Sequence, residues 1–409
     1  MKGKVFALIV VGAIVIAIAA WLWSSRQSDS NIVEPPTDAP RATSAAGPVA
    51  PEAARAPNGD KKEDWFPDLS GANDIPGVTL GVGEGRTTFD CDVSALADKL
   101  GRSIEGEDGE ARMIQYINTL SASSDAEHHL AALQILQAEG SGTVEGDEDS
   151  SLPQVDHLAL ALQADPMNPL VLFNAANACL EPDLYSFCTD ANLQANMRSV
   201  LGSNGEYWAQ ESARLYLMED HDGALDALRR AASAPTFDNY FIENVRMHQR
   251  ALSLVPDMGP IERSLGGYAL SMMTVQNTSR GLAGCFFEVE DPSWFDTCTA
   301  VANRYASESP TVIQRGLGMQ MLARLYEEGG QIEAAELERQ RAAELTESFW
   351  IEDDDMIAVL VTDERVLSLY LQELEAGDEL NAVQYLREEI ERLKQDPTYT
   401  PCPDEAAED

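Results

Sequence analysis

Six cysteines, Cys91, Cys179, Cys188, Cys285, Cys298 and Cys402, and five histidines are the side chains of this 409-residue sequence best suited to hold a metal or move electrons. A zinc site draws its ligands from pairs two to four residues apart. Here the nearest cysteines are nine and thirteen positions apart, with no histidine at ligand spacing beside them. A thioredoxin-like redox centre needs C-x-x-C at the start of a helix, and that spacing is absent. The reading that remains is structural disulfides. Six cysteines allow fifteen pairings, but proximity favours Cys179–Cys188 and Cys285–Cys298, each bracketing a junction that contains a proline (Pro182, Pro292), and leaves Cys91 with Cys402. A loop of about ten to fourteen residues closed in this way contributes roughly 2–3 kcal/mol.

The other chemical candidates are weaker. His128 and His129 adjoin on a predicted helix and point about 100° apart, so they do not share a metal as an i, i+4 pair would and read as a surface dipeptide. "WIEDDDM", 350–356, groups four acids without the alternating ligands and mid-loop glycine of a calcium loop, and reads as an exposed turn. "GVGEGR", 81–86, lacks the strand, helix and lysine of a phosphate loop. No Ser-His-Asp order, Cys-His pairing or G-x-S-x-G elbow is present. The sequence thus predicts no catalytic residue, no metal and no cofactor.

Helices position these residues. Apolar side chains recur at i, i+3, i+4 and i+7 over 92–101, 109–121, 125–138, 154–165, 168–180, 190–201, 205–219, 222–233, 238–254, 259–275, 291–307, 311–328, 331–347, 363–375 and 378–394, with breaks at Gly, Pro, Asn and Asp. No two-residue alternation competes, so an all-α domain over 91–397 is expected, built as an elongated stack of helical hairpins. The default place for aromatic stripes such as Tyr207, Trp208 and Tyr216, or Trp294, Phe295 and Tyr305, is the core. "NACLEPDLYSFCTD", 177–190, interrupts the pattern at Pro182, which makes Leu184, Tyr185 and Phe187 in the Cys179–Cys188 loop the candidate partner contacts.

The stretch "YWAQESARLYLMEDHDGALDALRRAASAP", 207–235, carries Trp208, Ser212, Ala224, Leu228 and Ala231 at the offsets of a tetratricopeptide repeat, and related pieces occur at 159–179, 322–345 and 367–397 with Gly377-Asp378 and Ala382. In these pieces the chain resembles the tetratricopeptide-repeat family, in degenerate form. The resemblance implies a helical-hairpin solenoid with a concave surface that binds a protein or peptide. Soluble lytic transglycosylases, which often carry a helical superhelix, offer a second comparison: "TESFW", with Glu347-Ser348, and "GLGMQML", 316–322, are similar to their catalytic motifs but stand in reversed order.

Ahead of the helices, "VFALIVVGAIVIAIAAWLW", 5–23, is uncharged and about 28 Å long as a helix, enough to cross a bilayer. Lys2 and Lys4 before it place residues 1–4 in the cytoplasm and everything beyond Ser24 outside. The alternative is a cleaved signal peptide with Ala17-Ile18-Ala19 as its site. All six cysteines fall on the outer side, as an oxidising compartment would require. Residues 24–64, rich in Pro, Ala and Ser, read as a disordered tether, 65–90 as an irregular lead-in and 398–409 as an acidic tail. Twenty-eight basic against 69 acidic residues give a net charge of −41, which repels phosphate backbones and disfavours nucleic-acid binding. The resulting expectation is a single-pass protein of the inner membrane with a periplasmic, non-catalytic domain that binds another protein as scaffold, assembly factor or chaperone accessory. The alternative is a cell-wall-active hydrolase or lyase with an unrecognised acid site, for which Glu347 is the candidate.

Overall fold

Helix follows helix because polar caps and prolines punctuate amphipathic runs. The computed structural model describes residues 89, 91, 96, 109–138, 154–180, 185–256, 258–275, 281–288, 291–349 and 354–402. The expected membrane segment 5–23, the linker 24–64, most of the lead-in 65–90, the helix at 92–101 apart from Leu96, and residues 403–409 lie outside them. Among the described residues no helix is long and apolar enough to cross a membrane.

The helices are α1 (Gly109–Ser121), α2 (Ala126–Ala138), α3 (Gln154–Ala164), α4 (Pro169–Ala178), α5 (Tyr185–Cys188), α6 (Ala191–Leu201), α7 (Gly205–Leu217), α8 (His221–Ser233), α9 (Phe241–Leu252), α10 (Pro260–Val275), α11 (Ala283–Phe287), α12 (Pro292–Glu308), α13 (Val312–Glu328), α14 (Ile332–Phe349), α15 (Asp354–Thr362), α16 (Glu364–Ala376) and α17 (Glu379–Lys394). Asn168, Asp190, Asp291, Thr311, Asp363 and Asp378 cap α4, α6, α12, α13, α16 and α17 by accepting from the first free backbone N–H groups, and Pro169 and Pro292 open α4 and α12 with the φ a first turn needs. The fold is all-α: among the described residues no strand forms.

Neighbouring helices pack as hairpins, α2 with α3, α7 with α8, α9 with α10, α12 with α13, α13 with α14 and α16 with α17. Close crossings need small residues. Ser212 on α7 donates to the Ala224 carbonyl of α8 at 2.8 Å. On α13, Gly318 lies so near α12 that an added Cβ would stand 2.4 Å from the Ala306 nitrogen.

The row is not strictly sequential. Helix α8 packs on α12, although α9, α10 and α11 lie between them in the chain. The α9–α10 hairpin instead meets α2, and α10 also meets α16. Helix α9 serves two cores with two faces: Met247, Ala251 and Leu252 join the larger cluster built on α1–α8 and α11–α14, whereas Phe241 and Val245 join the cluster of α15–α17. Buried amides fix the first of these contacts. Gln134 on α2 donates to Asn174 of α4 (2.7 Å) and to Asn244 of α9 (2.8 Å), and its oxygen lies 2.6 Å from His248 Nε2. A carboxyl fixes the second core to the first: Glu379 accepts from the backbone N–H of Val312 at 2.8 Å and from the Tyr268 hydroxyl.

The acidic run does not read through as an exposed turn. Asp354 and Asp355 form the first turn of α15, where carboxylates favour the helix dipole, and buried Asp355 meets Lys394 at 3.0 Å. The histidine dipeptide is not a surface feature either. His129 is buried, its Nδ1 3.3 Å from Nδ1 of His157 on α3, while His128 meets Ser123 at 2.8 Å. The 100° between adjacent helical positions sends His129 inward and leaves its neighbour at the helix edge.

Candidate functional site

The cysteines are paired as Cys91–Cys402, Cys179–Cys188 and Cys285–Cys298, with Cα atoms 5.7, 5.6 and 5.6 Å apart. The pairs are those that proximity favours. Of the candidate partner contacts, Leu184 lies outside the described residues, Tyr185 opens the short α5, and half-buried Phe187 packs against the larger core. Glu347-Ser348 and 316–322 lie on the paired helices α14 and α13, and Ser348 donates to its own helix at the Leu345 carbonyl (2.7 Å). Among the described residues no group of three or more His, Cys, Asp or Glu is placed to hold a metal ion.

The Cys285–Cys298 bond leads to a different site. It fastens α11, five residues long, to α12. Gly284 lets this short helix sit hard against its neighbours: a Cβ there would stand 2.4 Å from the Trp294 ring. So held, α11 carries Phe287 and Glu288 to the end of α7. Phe287 stacks on Tyr216, with centroids 6.3 Å apart and planes 10° apart, and Trp294 meets Tyr216 edge-on at 5.9 Å. The Tyr216 hydroxyl donates to Glu288 Oε1 at 3.1 Å, and His221 Nδ1, at the start of α8, lies 3.1 Å from the same oxygen. Burial, and secondarily the Glu288 carboxylate, push the Tyr216 hydroxyl up to about 12, so it keeps its proton and orients the carboxylate.

The next turn lies alongside. Arg324, near the end of α13, donates to the Phe286 carbonyl at 3.0 Å, and a Cβ on Gly329 would be 3.1 Å from the Phe295 ring of α12. The turns α7–α8, α11–α12 and α13–α14 therefore share one end of the helix row. Each presents one exposed large apolar side chain: Met218 (46% exposed), Phe287 (51%) and Ile332 (59%). Acids surround them. Glu219, Asp220 and Asp222 follow Met218, Glu288 follows Phe287, and Glu328 and Glu333 flank Ile332.

Two of these turns close by the same backbone device. After α13, Gly330 takes a left-handed φ of 72°, Gly330 N–H donates to the Glu327 carbonyl (2.9 Å) and Gln331 N–H to that of Tyr326 (2.7 Å). After α7, Glu219 occupies the equivalent position at φ 64°, with Glu219 N–H donating to Tyr216 (3.0 Å) and Asp220 N–H to Leu215 (3.0 Å).

What this rim offers is contact: apolar projections on a braced base, ringed by carboxylates. The sequence reading looked for contacts in the other disulfide loop. The signal it passed over is an apolar residue at the edge of an acidic turn, three times, in "LMED", "FFEVED" and "EEGGQIE". No family model, curated protein or solved structure matches this chain.

Proposed function

We propose that the chain is a membrane-anchored, extracytoplasmic helical-repeat protein of tetratricopeptide type whose helical domain binds another protein and is not itself a catalyst. The observation that carries the binding reading is the rim: three adjacent turns, braced by the Cys285–Cys298 bond, each hold a large apolar side chain about half exposed. A soluble protein rarely groups such side chains on one surface unless something covers them. Three disulfides and no free cysteine among the described residues support an oxidising compartment, and the apolar run at 5–23 supports the anchor. In this reading the domain serves as a scaffold, assembly factor or chaperone accessory.

Photo-crosslinking in cells tests it. With a photoreactive residue at position 218, 287 or 332, discrete protein adducts are expected, and the same residue at position 300, on an exposed part of α12, gives none. Absence of adducts from all three rim positions sinks the reading.

A further inference from the structure

We propose that the rim receives a cationic amphipathic segment of the partner, one whose apolar side chains meet Met218, Phe287 and Ile332 while its Lys or Arg residues meet the carboxylates between them. The inference rests on the protein-binding reading above and adds the chemistry of the occupant.

Charge decides the sign of that partner. The three arginines at the rim are already engaged, Arg324 with Glu328 at 2.9 Å, Arg339 with Glu327, and Arg214 with Glu211 at 2.7 Å. That leaves Glu219, Asp222 and Glu333 in excess, with Glu288 adding its charge from between Tyr216 and His221, on a chain of net charge −41. An acidic or neutral partner would bring its own charge, or nothing, against these carboxylates, whereas a basic one gains at each. Phosphate-bearing partners are disfavoured for the same reason.

Spacing sets the length. Packed helices lie about 8–10 Å apart, so three neighbouring turns span on the order of 20 Å, which an α-helix covers in about 14 residues. The apolar projections are fixed in place, Phe287 by its stack on Tyr216 and Met218 by Arg214, whose Nη1 lies 3.0 Å from its sulfur. A helix laid across them would present one apolar stripe with basic flanks.

The probe is a fluorescent 14-residue peptide with leucines on one helical face and lysines on the other, titrated against the full chain in zwitterionic lipid nanodiscs, with empty nanodiscs as baseline. We expect binding to the wild type that weakens at least tenfold in the triple variant Met218→Ser, Phe287→Ser, Ile332→Ser, which keeps every charge. A second variant, Glu219→Gln, Glu288→Gln, Glu333→Gln, weakens it several-fold and flattens its dependence on salt, and the same peptide with Glu for Lys does not bind. Far-ultraviolet circular dichroism confirms that both variants are folded.

Equal binding by the wild type and the serine variant overturns the proposal, because attraction is then diffuse. Equal or tighter binding of the Glu-for-Lys peptide overturns it while leaving protein binding intact, provided the rim still yields protein adducts in cells. Adhesion of the wild type to phosphatidylcholine vesicles that is lost in the serine variant also overturns it, since the rim would then face a lipid surface.

Discussion

Glu219 holds a left-handed backbone conformation, φ 64°, at the position that Gly330 fills in the equivalent turn. An L-residue there costs about 1–2 kcal/mol, part of which glycine forfeits through the entropy of the unfolded chain. Glu219→Gly should therefore raise stability by about 0.5–1 kcal/mol, measured from the urea midpoint, and at the same time weaken binding of the cationic peptide. A stabilised protein with unchanged peptide binding would show that the carboxylate is not part of the contact. Histidines set a second residue-scale expectation. Ser121 spends its proton on the Ile117 carbonyl (2.7 Å), so it accepts from His157 Nε2 (3.3 Å), and His157 Nδ1 in turn accepts from His129. Burial lowers His157 to about 4 and His248 to about 3, and lowers His129 as well. Between pH 6.5 and about 4 the unfolded chain thus binds protons that the folded chain refuses, and stability falls as pH falls, by up to roughly 1.4 kcal/mol per pH unit for each of His157 and His248, with His129 acting in the same direction. Glu379, raised chiefly by burial, acts in the opposite sense, losing its contribution as pH rises above the ordinary carboxylate range. Urea midpoints at pH 7.5, 6.5, 5.5 and 5.0 should show the decline, and His157→Asn should remove about one proton from its slope even if that variant is weaker throughout.

At the scale of the element, crossings matter more than caps. Gly318→Ala would set a Cβ 2.4 Å from the Ala306 nitrogen and 2.7 Å from the Ala302 carbonyl oxygen, both backbone atoms that no rotamer can move. Despite alanine's better helix propensity, the variant should lose about 1–3 kcal/mol as α12 and α13 are forced apart. A urea midpoint equal to or above the wild type's would mean that the helices separate at little cost. The crossing illustrates what was legible beforehand. Asn168-Pro169, Asp190, Asp291-Pro292 and Asp363 announced helix starts by local chemistry alone, and the periodic runs behind them are helices within three residues at either end. Helices α5 and α11 were not legible, because four or five residues cannot display a 3.6-residue period. Helix α15 was missed because the acids of its first turn, Asp354 and Asp355, resemble a solvated loop. The rim was hidden for a different reason. Met218, Phe287 and Ile332 stand far apart in sequence, and only the packing of α7, α11 and α13 gathers their turns.

For the whole molecule, the placement of α9–α10 against α2 and α16 joins helices from the beginning and end of the described chain. The Cys91–Cys402 bond, across 311 positions, reinforces the same closure, with Phe89 edge-on to Tyr399 at 5.4 Å, Tyr399 donating to Asp363 at 2.8 Å, and Cys91 packed against Ala358 of α15. In a loop-entropy account a closure this long contributes on the order of 5 kcal/mol, all of it through the unfolded chain. The packing around Ala358 argues for a second, native-state part, because the bond also presses the entry segment onto α15. The double variant Cys91→Ser, Cys402→Ser should therefore do more than lower the urea midpoint. Native-state hydrogen exchange should show α15 opening more readily than in the wild type, while α7, α8 and α12 lose only what the global stability loses. If protection falls equally in α15 and α7, the bond acts through the unfolded chain alone, and the α9–α10 hairpin with Glu379 holds the two ends together unaided.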